Sequence, residues 1–256
     1  KRILSTVLAT LLVYIVSAQQ PAGSYNAAWK KVDSLINKSG LTNSALTEVN
    51  KIYARAKKEK NNAQVIKALV YRTYIYSAKE EEADLKSIRM METEIAGSTE
   101  PARSIIQSIT ASLYWRYFQQ NRWKLYDRTE TLNFNKDDPA TWSVDDFHKK
   151  IGDLYLASIA KEKLLQQTKL EPLDAIIEKG NARHLRPTLF DLLANRALEY
   201  FRNSEHSITK PAYAFEIDNA AAFSEATAFA NGSFVTRDTI SLYYRALQLY
   251  QRLIKF

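Results

Sequence analysis

Apolar residues recur every third or fourth position from Ser24 to about Phe118, the spacing of one buried helical face. Consecutive helices are therefore expected over this stretch. The first starts at Ser24, carries Trp29, Val32, Leu35 and Ile36, and stops at Gly40. Asn43 or Ser44 caps the next, with Leu46, Val49, Ile52, Tyr53 and Ala56 on one face. Its end is the run Lys57 to Lys60, a solvated cationic turn that suits the negative end of the helix dipole. A third helix carries Val65, Ile66, Leu69, Val70 and Tyr76, and a fourth turns Leu85, Ile88, Met91 and Ile95 inward until Gly97-Ser98. Pro101 suits the first turn of a fifth, which presents Ile105, Ile109, Ser112, Leu113 and the aromatic run from Tyr114 to Phe118.

The period is lost between residues 121 and 142, where Trp123, Tyr126, Phe134 and Trp142 stand among polar residues and Asp137-Asp138-Pro139 makes a turn. Ser143 with Asp146 three residues later is an approximate capping box. It opens a long helix bearing Leu154, Leu156, Ile159 and Leu164. A short helical segment follows from Leu173 to Glu178 and ends at Gly180. Pro187 opens another helix, with Leu189, Leu192, Leu193, Ala197 and Phe201 as buried candidates. Residues 203–236 read as a loop, yet they hold Phe215, Phe223, Phe229 and Phe234. A structureless loop of that length is uncommon, so this one is expected to pack on the helices as an ordered aromatic lobe. A last helix begins near Asp238 and still runs at Phe256 with no Gly or Pro to end it, the pattern of a chain that continues.

Helices of this length with short polar breaks stack antiparallel, and small residues recur near aromatic ones, as in Ala68 and Tyr76 or Ala197 and Phe201. The expected fold is all-α: an antiparallel helix-pair stack, a tetratricopeptide-like α-solenoid in architecture. No clean repeat of about 34 residues accompanies it. Residues 19–256 form this domain.

Residues 1–18 read differently. Lys1 and Arg2 precede the mostly apolar run Ile3–Val16, and Val16-Ser17-Ala18 places small residues before Gln19. That is the three-part pattern of a cleaved secretory signal. The run is shorter than the about 20 residues needed to span a bilayer, so no stable membrane span is expected after cleavage. No Cys stands at the cleavage point to carry a lipid. The expectation is an exported protein: periplasmic, cell-surface or extracellular.

Composition narrows the chemistry. Gly and Pro number six each, which disfavours an all-β fold. The formal charge is +8, to which Lys1 and Arg2 contribute. In an exported chain, solubility or an acidic cell surface accounts for it, and no nucleic-acid partner is expected. Cysteine is absent, which removes disulfides, thiolate metal sites and thiol catalysis. No cofactor or metal is expected. His148 lacks a second ligand at a helical offset and reads as an exposed or cap-proximal residue, and His206 reads as surface. The most unusual string is Gly180-Asn181-Ala182-Arg183-His184-Leu185-Arg186-Pro187. Arg183, His184 and Arg186 are candidates for holding an acidic protein partner, although a loop whose arginines tie helix ends together is the plainer reading. The pairs Asp137-Asp138 and Asp145-Asp146 would serve a glycosidase only if carboxylates faced each other across a cleft. No phosphate loop, nucleophile elbow or metalloprotease helix is present.

The strings Tyr25-Asn26-Ala27-Ala28-Trp29-Lys30-Lys31-Val32 and Ser44 to Tyr53 resemble the start of the very large bacterial alpha-2-macroglobulin-like proteins of the Bacteroidetes type. Further resemblance lies in Gln119 to Lys124, in Gly180 to Leu193 and in Lys210 to Phe215, so that it covers most of residues 24–256. In that family a helical region precedes a series of macroglobulin β-sandwich domains, an MG2 domain among them. The resemblance implies protease trapping, in which cleavage of a bait segment collapses the molecule around the protease. Its thioester-bearing members use a Cys and a Gln far downstream, and neither role maps onto any residue here. The expectation is thus a non-catalytic scaffold region of an endopeptidase inhibitor, which meets proteases through the full-length protein and docks an envelope protein. A free-standing helix-repeat module for a protein or peptide is the alternative, followed by a helical carbohydrate-active enzyme acting through Asp145 or Asp146.

Overall fold

The computed structural model describes residues 23–80, 82–126, 135, 137–203, 212–238 and 240–256. The signal-like segment 1–18, Phe134 and His206 lie outside them. The described residues hold ten α-helices and no β-strand. The chain is all-α, as the periodicity predicts. None of the described helices is long and apolar enough to cross a membrane.

Two compact units divide between Glu48 and Val49, inside the second helix. In the first unit, α1 (Gly23–Asn37) buries Tyr25, Trp29 and Val32. Gly40 turns the chain at φ +60, which lets the Leu41 N–H reach the Leu35 carbonyl at 2.9 Å. Lys31 pairs with Glu48 at 3.1 Å at the start of α2 (Thr42–Lys58).

The second unit contains the rest of α2 and the helices α3 (Asn62–Ser77), α4 (Ala83–Gly97), α5 (Ala102–Tyr126), α6 (Val144–Ser158), α7 (Glu162–Gln167), α8 (Leu189–Phe201), α9 (Ala226–Asn231) and α10 (Leu242–Lys255). The α2 terminus shows how local chemistry ends a helix. The Asn61 N–H donates to the Ala56 carbonyl and the Lys60 N–H to the Lys57 carbonyl, the paired bonds of a Schellman turn. Lys60 takes the left-handed position at φ 54, a place usually filled by glycine.

From α3 to α6 each helix packs on its neighbours in sequence, and α8 then returns to pack on α5, α6 and α7. The core follows this order through Ile66, Leu69, Ile88, Met91, Ile106, Tyr114, Phe118, Phe147, Ile151, Phe190 and Phe201, all nearly or wholly buried.

Several expectations need correction. α2 begins at Thr42, so Asn43 and Ser44 lie inside its first turn and do not cap it. The fifth helix runs on to Tyr126, through positions where the apolar period fades. In its last turns Trp123 is exposed while Leu125 is buried, so part of that end is still held by burial that the fading period does not announce. The long helix from Ser143 is two helices. The Ile159 and Ala160 N–H groups close short turns onto Leu156 and Ala157, and the chain re-enters α7 so that Leu165 is buried while Leu164 stays exposed. Finally, residues 173–178 are not a helix. A single 3-10 turn at Glu171–Leu173 leads into further turns.

The aromatic lobe is ordered as expected within its described part. A 3-10 turn (Ala220–Phe223) and α9 bring Phe229 and Phe234 onto Leu247 of α10, with Phe215, Tyr244 and Tyr250 around them. Gln251 donates to the carbonyls of Phe229 and Gly232 at 2.8 and 2.7 Å, and Asp238 accepts from the Phe215 N–H. The last helix, expected near Asp238, begins after Ser241, whose side chain caps the Tyr244 N–H.

Candidate functional site

The string that stands out in sequence belongs to a closed loop. The Leu170 N–H donates to the Pro187 carbonyl at 3.3 Å, and the Leu189 N–H to the Thr168 carbonyl at 2.8 Å, with one antiparallel bridge between Lys169 and Thr188. These bonds clasp the base of residues 171–186. Thr188 then caps α8 in a reciprocal capping box with Asp191, whose carboxylate accepts from the Thr188 N–H at 3.0 Å and hydroxyl at 2.7 Å.

Arg183, His184 and Arg186 do not converge. Arg183 is half-buried and hydrogen-bonded to Asp174, which Lys179 also holds at 2.6 Å. The Lys179 and Arg183 hydrogen bonds keep the Asp174 carboxyl below its ordinary range. His184 and Arg186 are exposed. Arg183 therefore ties the loop to itself, and no three-residue anion clamp is formed.

The same loop contributes something the sequence reading missed. Ile176, Ile177 and Glu178 form one wall of an open groove whose other walls are α3, α5 and α8. Its volume is about 300 Å³. Ile66, Ser108 and Leu193 are buried in its floor, and Val70 stands at its rim with 43% of its surface exposed. Arg196 lines the groove as well. Its Nε donates to the Ser108 hydroxyl at 3.1 Å and its Nη2 to the Ser112 hydroxyl at 2.8 Å. Among the described residues these neutral hydroxyls are its hydrogen-bond partners, and neither Glu178 nor Glu199 forms an ion pair with it.

Behind Arg196 lies a seam of rings and hydroxyls. Ser112 shares a hydrogen bond with the Tyr155 hydroxyl at 3.1 Å, and Tyr155 stacks on Tyr200 with centroids 5.3 Å apart. The Tyr200 hydroxyl meets His148 Nδ1 at 2.8 Å, and His148 packs against Trp115 and Phe118. Burial holds the Tyr155 phenol above its usual pKa, opposed by the Ser112 hydrogen bond and the Arg196 charge. His148 is therefore a half-buried member of this seam near the start of α6; of the two expected readings the exposed one does not hold and the cap-proximal one does. The partner that places it there, Tyr200, lies far away in sequence.

The carboxylate pairs are differently disposed. A second groove of about 630 Å³ is lined by Arg89, Glu92, Asp137, Asp146, Lys149 and Asp153 among others. Four of its charges pair, Lys150 with Glu92 at 2.7 Å and Lys149 with Asp153 at 2.6 Å, while Arg89 and Asp137 form no ion pair among the described residues. Asp146 accepts from the Ser143 N–H and hydroxyl in the capping box, while its neighbour Asp145 is exposed and does not line the groove. Trp142 is buried, with Tyr114 stacked at 5.4 Å and Phe147 at 5.2 Å. Among the described residues, no group of three His, Asp or Glu side chains could hold a metal ion.

No family model, curated protein or solved structure matches this chain.

Proposed function

We propose that residues 19–256 are a non-catalytic docking scaffold: the exported helical entry region of an alpha-2-macroglobulin-like endopeptidase inhibitor, built as a tetratricopeptide-like stack. The observation that carries the docking reading is a contrast within the second unit. In the second groove Lys149 and Lys150 are paired with Asp153 and Glu92, whereas the aliphatic groove is open and its one cation, Arg196, is held by neutral hydroxyls among the described residues. An open apolar groove with few polar groups is what a helix stack offers a peptide. The assignment to the inhibitor family rests on the resemblance of the strings near residues 25–32, 44–53 and 180–193. In this reading the trapping chemistry lies in other domains, and the helical region orients the inhibitor or tethers it to an envelope protein.

The test is to assay residues 19–256 and the whole gene product against one serine protease, using a large protein substrate and a small peptide substrate. Trapping by enclosure predicts that the whole product blocks cleavage of the large substrate and spares the small one, while residues 19–256 alone affect neither. Inhibition by the helical region itself overturns the scaffold reading. So does hydrolysis of a polysaccharide that is lost in Asp146→Asn. A gene without β-sandwich domains beyond Phe256 removes the inhibitor assignment and leaves a free-standing peptide-binding module.

A further inference from the structure

We propose that the groove at Arg196 captures the free C-terminus of a peptide ending in an aliphatic residue. The inference rests on the docking reading and names the chemistry of the docked partner.

The cation is the starting point. Arg196 spends two of its five N–H groups on Ser108 and Ser112, and its other donors have no acceptor among the described residues. The two serines fix the plane of the guanidinium. Ser112 is itself held by the Tyr155 hydroxyl at 3.1 Å and by the Ser108 carbonyl at 3.2 Å. A planar, pre-oriented guanidinium matches a carboxylate, and the ordering cost of binding is already met.

The walls choose the rest of the ligand. Ile66, Val70, Ile105, Ile109 and Leu192 are branched aliphatics, suited to an aliphatic side chain. At about 300 Å³ the groove sits at the lower end of ligand pockets. That is room for the last residue or two of a chain and little for a long acyl tail. A terminal carboxylate stands one carbon from its own side chain, so both ends of the last residue are met at once. An internal Asp or Glu would instead drag two flanking peptide units over an apolar floor that offers them few partners. Glu178 on the opposite loop faces the same groove and disfavours a second acidic group upstream in the peptide.

The experiment uses the whole chain and a panel of fluorescent hexapeptides ending in Val, Ile, Leu or Phe, each as free acid and as C-terminal amide, followed by anisotropy. The expected result is binding of the aliphatic free acids, weakened about tenfold or more by amidation. Arg196→Gln is expected to bring the free acid down to the level of the amide. Val70→Asp, at the partly exposed rim, with its fold checked by circular dichroism, is expected to weaken both. Equal binding of acid and amide overturns the carboxylate assignment and leaves the docking reading standing. Binding of none of the peptides overturns both at this groove. Dodecanoate binding that needs Arg196, with peptides inert, overturns the proposal in favour of a fatty acid.

Discussion

Glu94 and Arg196 are two charges set into the same helical unit and treated in opposite ways. On the seam between α2 and α4, Glu94 is 8% exposed and fully provided for: Lys57, the Tyr53 hydroxyl and the Ser98 hydroxyl all donate to it. Burial and the neighbouring carboxylate push the Tyr53 phenol up to about 12, so it stays a donor. On the seam between α5 and α8, Arg196 receives two neutral hydroxyls and, among the described residues, no carboxylate. A charge given its counterion locks helices together. The proposed peptide site rests on the second case, in which the counterion would come from outside the chain.

The comparison can be broken most severely at Glu94. Replacing it by Ala strips Tyr53 and Ser98 of their acceptor and Lys57 of its counterion, and is expected to cost about 3 kcal/mol, read from urea denaturation. A loss below about 1 kcal/mol would show that this seam is no lock. Acid probes the same contact. Burial alone would raise the Glu94 pKa, but the hydrogen bonds from Lys57 and Tyr53 outweigh it and hold the folded-state value below the ordinary one. The stability it contributes is therefore present above the unfolded-state pKa and lost as pH falls through the folded-state pKa. Below about pH 5 the parent should lose stability more steeply than Glu94→Gln.

A third charge lies between these extremes. Arg245 on α10 is 8% exposed and meets Asp153 at 3.6 Å. It lies against Gly152 of α6 so closely that a methyl group there would collide with the guanidinium. Gly152→Ala should displace the Arg245 guanidinium from Asp153. After the helical gain of about 1 kcal/mol for Ala over Gly, it should cost about 1 kcal/mol net by thermal or urea denaturation. If it costs nothing, Arg245 is mobile and resembles Arg196 more than Glu94. Lys60→Gly calibrates the scale outside all three sites. It relieves the left-handed backbone at φ 54 and should stabilise by about 1 kcal/mol. The smallest effect is expected at Arg196 itself. Arg196→Met should shift unliganded stability by no more than about 1 kcal/mol, while abolishing discrimination between free-acid and amidated peptides. A large loss of stability would place Arg196 with Glu94 as a fastener.

Much of the fold was legible because helices announce themselves locally. The three-to-four spacing of Val65, Ile66 and Leu69, the stop at Gly40 and the capping box of Ser143 and Asp146 each depend on residues a turn or two apart. The ordered aromatic lobe followed from four phenylalanines in a stretch too long to be idle, and Phe229 and Phe234 pack as expected while Phe223 stays exposed. The break between α6 and α7 was illegible because nothing local marks it. It answers to the burial of Leu165 by another part of the chain. The three residues singled out in the loop do not converge in the structure. Arg183 drew attention by its unusual neighbours, yet its charge is taken up by Asp174 nine positions away.

By itself the sequence determined the helical class, the approximate order of the helices and the capping box at Ser143, since these are set by short-range spacing and backbone hydrogen bonding. Only the tertiary structure decided which charges are satisfied. Arg196 stands 88 and 84 residues from the two serines that hold it. His148 stands 52 from the tyrosine that draws it inward. Whether a buried or half-buried charge has a counterion depends on which distant helices meet, and that follows from packing of the whole core rather than from any window of residues.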